Sequence, residues 1–265
     1  MMKRFEHRVV LITGAGGAIG RAAAARFAAE GAALILFDRA IAPLEELAQQ
    51  LGAQGCHTLP LAADVTSETD LAAAIGTAEQ HFGRIDVLFN NAGIGGLDAT
   101  AVDMDARQWD TMLDINLRGI FLSCKYGVPP LVRAGGGAIV NMGSSTGRHD
   151  TLPGSSAYMA SKAGVEAFSR SLALQVAPHI RVNTICPGII ETPLSIGQKA
   201  GVSAESFFAR FAARIPLGRV GRPADVAAVV AFLASDQARG MTGTALLLDG
   251  GQTLRRWISA PDLVH

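Results

Sequence analysis

The sequence predicts an α/β fold: a mostly parallel sheet of seven strands, doubly wound, with helices on both faces. Three observations carry that prediction. Short apolar runs alternate along the chain with stretches whose apolar residues fall at helical spacing. The strand runs are apolar throughout rather than every second residue, as strands covered on both faces require. The residues best suited to chemistry fall just after strands, where open parallel sheets hold their ligands. The pattern is Rossmann-like.

The elements follow in order. Val9–Thr13 is a β-branched run ending in glycines and reads as a buried strand. Residues 19–30 are Ala-rich and helical, and Gly31 stops them. Residues 33–37 form the second strand, ended by Asp38. Residues 44–51 read as a helix and 56–61 as a strand, with Asp64 following. Residues 70–82 are helical and 85–89 extended. Residues 105–134 form a long helical stretch that Pro129-Pro130 should interrupt or kink. A strand at 138–142, a helix at Ser156–Val176, a strand at 180–186, a helix at Pro223–Ala234 and a last strand at Ala245–Leu248 complete the pattern.

No Pro/Gly/Ser-rich linker and no block of like charge divides the 265 residues, so 1–265 reads as a single domain. Lys plus Arg and Asp plus Glu both total 23, for zero net charge. Without a basic stripe, general nucleic-acid binding and adsorption to an anionic membrane are excluded. Near-neutrality fits self-association. Cys56, Cys124 and Cys186 are far apart and lack CxxC spacing, so reduced thiols and a cytoplasmic protein are expected. The sequence spacing offers no clustered metal ligands, so no metal is expected. The basic Lys3 and Arg4 precede an apolar run too short for a signal segment, and no run reaches membrane-spanning length.

Thr13-Gly14-Ala15-Gly16-Gly17-Ala18-Ile19-Gly20 joins the first strand to the first helix. Glycines there let the backbone approach a pyrophosphate, and the helix N-terminus offers unpaired N–H groups. An ordinary glycine-rich turn is the plainer reading, which the strand–loop–helix context disfavours. Asp38 lies eighteen residues after Gly20. A carboxylate there accepts from adenosine ribose hydroxyls and repels a 2′-phosphate, which favours NAD. At 4 Å such repulsion is roughly 1–4 kcal/mol, and about 1.4 kcal/mol is tenfold selectivity. Arg39 follows at once and offers the opposite choice, a 2′-phosphate contact. Capping of the next helix is the structural alternative for Asp38.

Further motifs come in order. Asn90-Asn91-Ala92-Gly93 follows the fourth strand. Ser145 stands thirteen residues before Tyr158, and Tyr158-Met159-Ala160-Ser161-Lys162 is a YxxxK segment on a helix. Pro187-Gly188 follows a strand, with Thr192 close behind. In this order and spacing the chain resembles the short-chain dehydrogenase/reductase family in its single-domain form. The resemblance runs over residues 9–251 and includes Met241-Thr242-Gly243 and Asp249-Gly250-Gly251. The glycine segment matches the family's TGxxx(A/G)xG pattern, with Ala18 as the permitted variant.

The resemblance implies roles. Gly14, Ala18, Ile19 and Gly20 shape the pyrophosphate turn, and Asp38 holds the adenosine ribose. Asp64 and Val65 border the adenine. Asn90, Ala92 and Gly93 lie along the cofactor. Pro187 and Gly188 lead to Ile190 and Thr192, which hold the nicotinamide carboxamide. Asn116, Ser145, Tyr158 and Lys162 match the catalytic tetrad, with Asn116 anchoring a proton-relaying water. A homotetramer is also implied, with the helices at 105–134 and Ser156–Val176 and the C-terminal segment as contacts.

The chemistry agrees. Oxidising an alcohol removes a proton from oxygen as hydride leaves carbon. A free tyrosine, with a pKa near 10, is a poor base. Lys162 is four residues on, on the same helical face. Its charge, with that of oxidised nicotinamide, should favour phenolate and make Tyr158 a usable base. Ser145 can fix the substrate oxygen, and Lys162 the nicotinamide ribose. Ser144 is the neighbour most easily mistaken for Ser145, and the spacing to Tyr158 selects Ser145. The histidines read as bystanders, with His149 the exception to weigh because it lies between Ser145 and Tyr158.

The expected activity is hydride transfer between NAD(H) and a secondary alcohol or ketone. An NADPH-dependent carbonyl reductase of the same fold and a dinucleotide sensor without turnover are the alternatives. Residues 189–216 should form the substrate lid. Leu194, Ile196, Phe207, Phe208 and Phe211 suit a hydrophobic or cyclic alcohol, and equally suit packing of the lid onto the body. Gly95, Gly96, residues 146–155 and the C-terminal tail also fall near the site.

Overall fold

A computed structural model describes residues 3–95, 99–152, 154–196 and 203–254. Expectations that touch Gly96, Pro153, residues 197–202 of the lid and the tail from 255 onward lie outside the described residues.

Seven strands form one sheet in the order β3-β2-β1-β4-β5-β6-β7. They are β1 Val9–Thr13, β2 Ala33–Asp38, β3 Thr58–Ala62, β4 Val87–Asn90, β5 Gly137–Met142, β6 Ile180–Pro187 and β7 Ala245–Leu248. All six pairings are parallel, which sharpens the expectation of a mostly parallel sheet. Chain order reverses between β1 and β4, so a crevice opens at the carboxyl ends of those two strands.

The core shows why these runs became central strands. Successive side chains point to opposite faces. Val10, Ile12, Leu34, Leu36, Val87 and Phe89 pack on one face against α1 (Ala18–Ala29), α2 (Ile41–Gly52) and α9 (Pro223–Ala234). Leu11, Ile35, Phe37, Leu88, Ile139 and Val182 pack on the other. There they meet α3 (Glu68–Phe82), α5 (Gly119–Arg133) and α6 (Ser156–Val176). A strand buried on both sides has no polar alternation to show, and the central ones here have none.

The helix expected at 105–134 differs in detail. It is α4 (Ala106–Leu113), then one π-helical turn at Asp114–Arg118, then α5, which runs through both prolines to Arg133. Pro129 and Pro130 lie near the α5 end, so their missing N–H groups cost two ladder bonds and the helix does not stop there. The irregularity is the wide turn upstream. Two short helices escape the apolar pattern: α7 (Pro193–Ile196) and α8 (Ala204–Ala212). Among the described residues no helix is long and apolar enough to cross a membrane.

Candidate active site

A cleft of about 380 Å³ lies over the carboxyl ends of the strands, at the β1/β4 reversal. Its floor is the β1–α1 turn. Gly14 has φ +65°, which favours glycine, and a Cβ on it would lie 2.8 Å from Ala92 Cα. A Cβ on Gly20 would lie 2.2 Å from the Gly14 carbonyl oxygen. Only glycine lets α1 start this close to the loop. Gly17 is the N-cap and no side chain caps the helix, so the first-turn N–H groups of Ala18 and Ile19 face the cleft that both residues line. This cradle fits a pyrophosphate.

The fourth-strand loop is tied to that floor. Thr13 Oγ1 accepts from the amides of Asn91 (3.0 Å) and Ala92 (3.1 Å). Asn91 Nδ2 donates to the carbonyls of Thr13 and Gly14. Sequence reading placed Asn90 along the cofactor, but its side chain turns inward. Asn90 is 1 % exposed; it donates to Asn141 Oδ1 and accepts from Ser123 Oγ. Asn91, Ala92 and Gly93 line the cleft instead. Alternation along the strand was the available signal: Asn90 is the last residue of β4 and points into a face.

Asp38, at the end of β2, also lines the cleft. Its Oδ2 accepts from Gly16 N at 3.1 Å and its Oδ1 from Arg39 N at 2.8 Å. Each oxygen keeps acceptor capacity for a ribose hydroxyl. It does not cap α2, whose N-cap is Ala40 without a side-chain cap. Asp64 and Val65 border the same end, and Arg39 is there too. At the far end stand Pro187, Gly188, Ile190 and Thr192. Gly188 passes so close to the β7 end that a Cβ would lie 2.9 Å from Asp249 Cβ.

Tyr158 and Lys162, on α6, face the middle of the cleft. Lys162 is 3 % exposed, and its Nζ donates to the Met142 carbonyl at 2.9 Å. Burial lowers its pKa to about 8. Burial pushes the Tyr158 phenol up, and a hydrogen bond with the Ser144 side chain offsets part of the rise. The π turn places Asn116 at 0 % exposure. Its Oδ1 accepts from Ile94 N and its Nδ2 donates to the Ile94 carbonyl and Ser161 Oγ. Single π turns recur at functional sites, and this one sets Asn116 between the β4 loop and α6.

One residue expected at the site stands back from the cleft. Ser144, not Ser145, lines the cleft together with Tyr158. Ser145 is 1 % exposed and locked in a turn: its amide donates to the Pro187 carbonyl, and its own carbonyl accepts from His149 N and Asp150 N. Counting back from Tyr158 crosses a loop whose length is free to vary. Counting forward from β5, whose register the sheet fixes, meets Ser144 first.

The expectation of no clustered metal ligands also rested on sequence spacing. The fold brings His149, Glu166 and Cys186 together behind Ser144.

The chain has close relatives among known proteins. A family model described as enoyl-(acyl carrier protein) reductase matches residues 14–253. The 3-oxoacyl-(acyl-carrier-protein) reductase FabG of Thermotoga maritima is 39 % identical over 251 residues, covering 94 % of this chain and 98 % of that one. The cis-4-hydroxycyclohexanecarboxylate dehydrogenase of Sinomonas cyclohexanicum is 40 % identical over 254 residues, covering 96 % and 99 %. The crystal structure of levodione reductase superposes with a TM-score of 0.89 at 37 % identity, covering 95 % and 100 %.

Fold, crevice and relatives define the class: an oxidoreductase on a Rossmann-like sheet, of the kind that works with a nicotinamide dinucleotide. Within that class the chain belongs to the short-chain dehydrogenase/reductase family.

Proposed function

We propose that the chain is an NAD(H)-dependent dehydrogenase/reductase of secondary alcohols and ketones, with Tyr158 as general acid/base. The observation that carries this is the triangle of Ser144, Tyr158 and Lys162 at the centre of a cleft whose ribose end presents Asp38. Gly14, Ala18, Ile19 and Gly20 would hold the pyrophosphate, Asp38 the adenosine ribose, and Ile190 and Thr192 the carboxamide. The bound dinucleotide supplies the hydride acceptor or donor.

The protein's own groups do the rest. Ser144 donates to the substrate oxygen and fixes it beside the Tyr158 hydroxyl. Tyr158 takes the proton during oxidation and returns it during reduction. Burial pushes the phenol pKa up, which favours its acid form. The base form needs a cationic neighbour. Lys162, four residues on and with its Nζ 5.7 Å from the Tyr158 ring centroid, is the protein's candidate. Asn116 keeps the Ile94 backbone and α6 in register, next to Lys162.

The substrate side favours an apolar ring or chain. Leu194 lines the cleft and is half exposed, and its side chain lies against Gly95 beside Tyr158. Phe207 and Phe208 are buried in a small core with Ile215 and Val220, which supports a packing role for them rather than contact with substrate. The relative that acts on cis-4-hydroxycyclohexanecarboxylate supports a ring-borne secondary alcohol. Arg39 on the cleft wall favours NADPH. A homotetramer goes with the proposal: Phe121 on α5 and Leu174 on α6 are 45 % and 86 % exposed.

The experiment is a panel of cyclic and linear secondary alcohols with NAD and NADP in parallel, followed by absorbance of the reduced nicotinamide. Turnover with NAD on cyclic alcohols is expected. Turnover confined to NADP overturns the cofactor, and tight dinucleotide binding without turnover on any alcohol or ketone overturns the enzyme.

A further inference from the structure

Three side chains from three separate elements meet behind the Ser144 loop. His149 comes from the loop after β5, Glu166 from α6 and Cys186 from β6. Their ligand atoms all lie within 4.8 Å of one another. Cys186 Sγ is 3.6 Å from Glu166 Oε1, and His149 Nε2 is 3.8 Å from that same oxygen. Glu166 is 2 % exposed and Cys186 0 %, while His149 keeps 25 % of its side chain in solvent. The donor atom Nε2 is nevertheless buried, so the set is shielded from solvent and only the outer edge of the His149 ring is exposed.

We propose that His149, Glu166 and Cys186 form a binding site for a soft divalent cation, Zn²⁺ in particular. Thiolate, imidazole and carboxylate together are a zinc donor set, whereas Mg²⁺ and Ca²⁺ take oxygen alone. With metal–ligand bonds of about 2.0–2.3 Å, the edges of a tetrahedral site are about 3.3–3.6 Å. The sulfur–oxygen edge already has that length, the imidazole is about 0.5 Å too far from the shared oxygen, and the sulfur–imidazole edge, within 4.8 Å, must close by up to about 1.2 Å. The imidazole therefore has to swing towards Cys186 for the site to form.

Three protein ligands leave the fourth position for water. As the Sγ–metal bond forms, the Cys186 thiol proton leaves to solvent, and no change of oxidation state is involved. Arg148 opposes the ion: its guanidinium lies 3.4 Å from the other Glu166 oxygen, Oε2. That side chain is 60 % exposed, so it can swing into solvent as the ion enters. The three ligands are none of the proposed hydride-transfer groups, but Cys186 adjoins them: the Ser144 backbone bonds it, and its charge is felt at Tyr158 and Lys162. It would tie the 146–155 loop to α6 one turn past Lys162 and to β6 just before Pro187.

The test uses the full chain, stripped of metal, titrated with Co²⁺ alone and then with Zn²⁺. The expected result is one Co²⁺ per chain, a thiolate-to-cobalt charge-transfer band, intense visible bands of a tetrahedral ion, and loss of all of them on adding Zn²⁺. Cys186→Ser should abolish the charge-transfer band and Cys56→Ser should leave it. His149→Asn should weaken Co²⁺ binding by more than about tenfold. A parent without the band, a band that survives Cys186→Ser, or unchanged affinity in His149→Asn would overturn the proposal. If the buried Cys186→Ser change prevents folding, His149→Asn decides, because it alters only the loop. None of these readouts depends on turnover.

Discussion

The side-chain amide of Asn116 pairs with both backbone polar groups of Ile94, accepting from its N–H at 2.8 Å and donating to its carbonyl at 2.9 Å. A side chain here replaces a missing strand partner, because the chain has left β4 at Asn90 and joins no other strand at Ile94. Asn116→Leu keeps the volume and removes both bonds. Each buried group left unpaired costs about 1–3 kcal/mol, so the urea midpoint should drop clearly and kcat with it. Asn116→Asp keeps the acceptor and should lose less. An unchanged midpoint in the leucine variant would show that the clamp contributes nothing.

The two adjacent serines make a direct comparison. Ser144→Ala should lower kcat/KM by about 10²–10³, the usual loss for a donor to a reacting oxygen. Ser145→Ala should stay within a few-fold of the parent, since only its backbone is engaged. Steady-state kinetics of both variants on one alcohol would decide, and equal losses would contradict the assignment.

Tyr158→Phe should abolish turnover while NADH affinity, read by fluorescence titration, changes little. The variant keeps the ring and removes only the group that moves the proton. Retention of more than a few per cent of the parent activity would displace Tyr158 from its role.

Lys162 ties the site to stability. Burial lowers its pKa from 10.5 to about 8. Between those values the unfolded chain binds more protons than the folded one, so this group's contribution to stability rises with pH across that window. The penalty is fully present below about pH 8 and is relieved above it. Lys162→Met removes the charge. The stability gap between variant and parent in denaturant melts should therefore shift in the parent's favour as pH climbs from 8 towards 10.5. A gap independent of pH would mean the amine is not desolvated as described.

Asp38→Ala should raise kcat/KM with NADP relative to NAD by at least about tenfold, the equivalent of about 1.4 kcal/mol of lost repulsion. Arg39→Ala in the same background should reverse the gain. If the ratio of the two cofactors does not move in either variant, neither residue selects the ribose.

The strands were legible because burial on both faces leaves a continuous apolar signature, as in Leu34–Phe37 against Val10–Thr13. The cofactor end was legible because glycines at 14 and 20 answer to close backbone contacts that no other residue permits. What the sequence hid is tertiary in origin. The π turn at Asp114–Arg118 has no composition of its own, and the eye goes to Pro129 and Pro130, which α5 absorbs. Ser144 and Ser145 differ only in which way a loop turns. Asn90 and Asn91 differ only in strand parity. His149, Glu166 and Cys186 are separated along the chain by helix and strand, so no spacing rule could gather them.

The strand order also sets the sequence in which the molecule can assemble. β1 pairs locally with β2, but Val10 meets Val87 across α1, β2, α2, β3 and α3. The first half of the sheet can therefore close as a unit while β4 to β7 must dock one crossover at a time, each with a loop-closure cost. The cleft takes its floor from the first half and Tyr158, Pro187 and Thr192 from the second. A dinucleotide can thus reward only a nearly finished fold, and a ribosome releasing this chain exposes an open β1 edge until the residues of β4 have emerged.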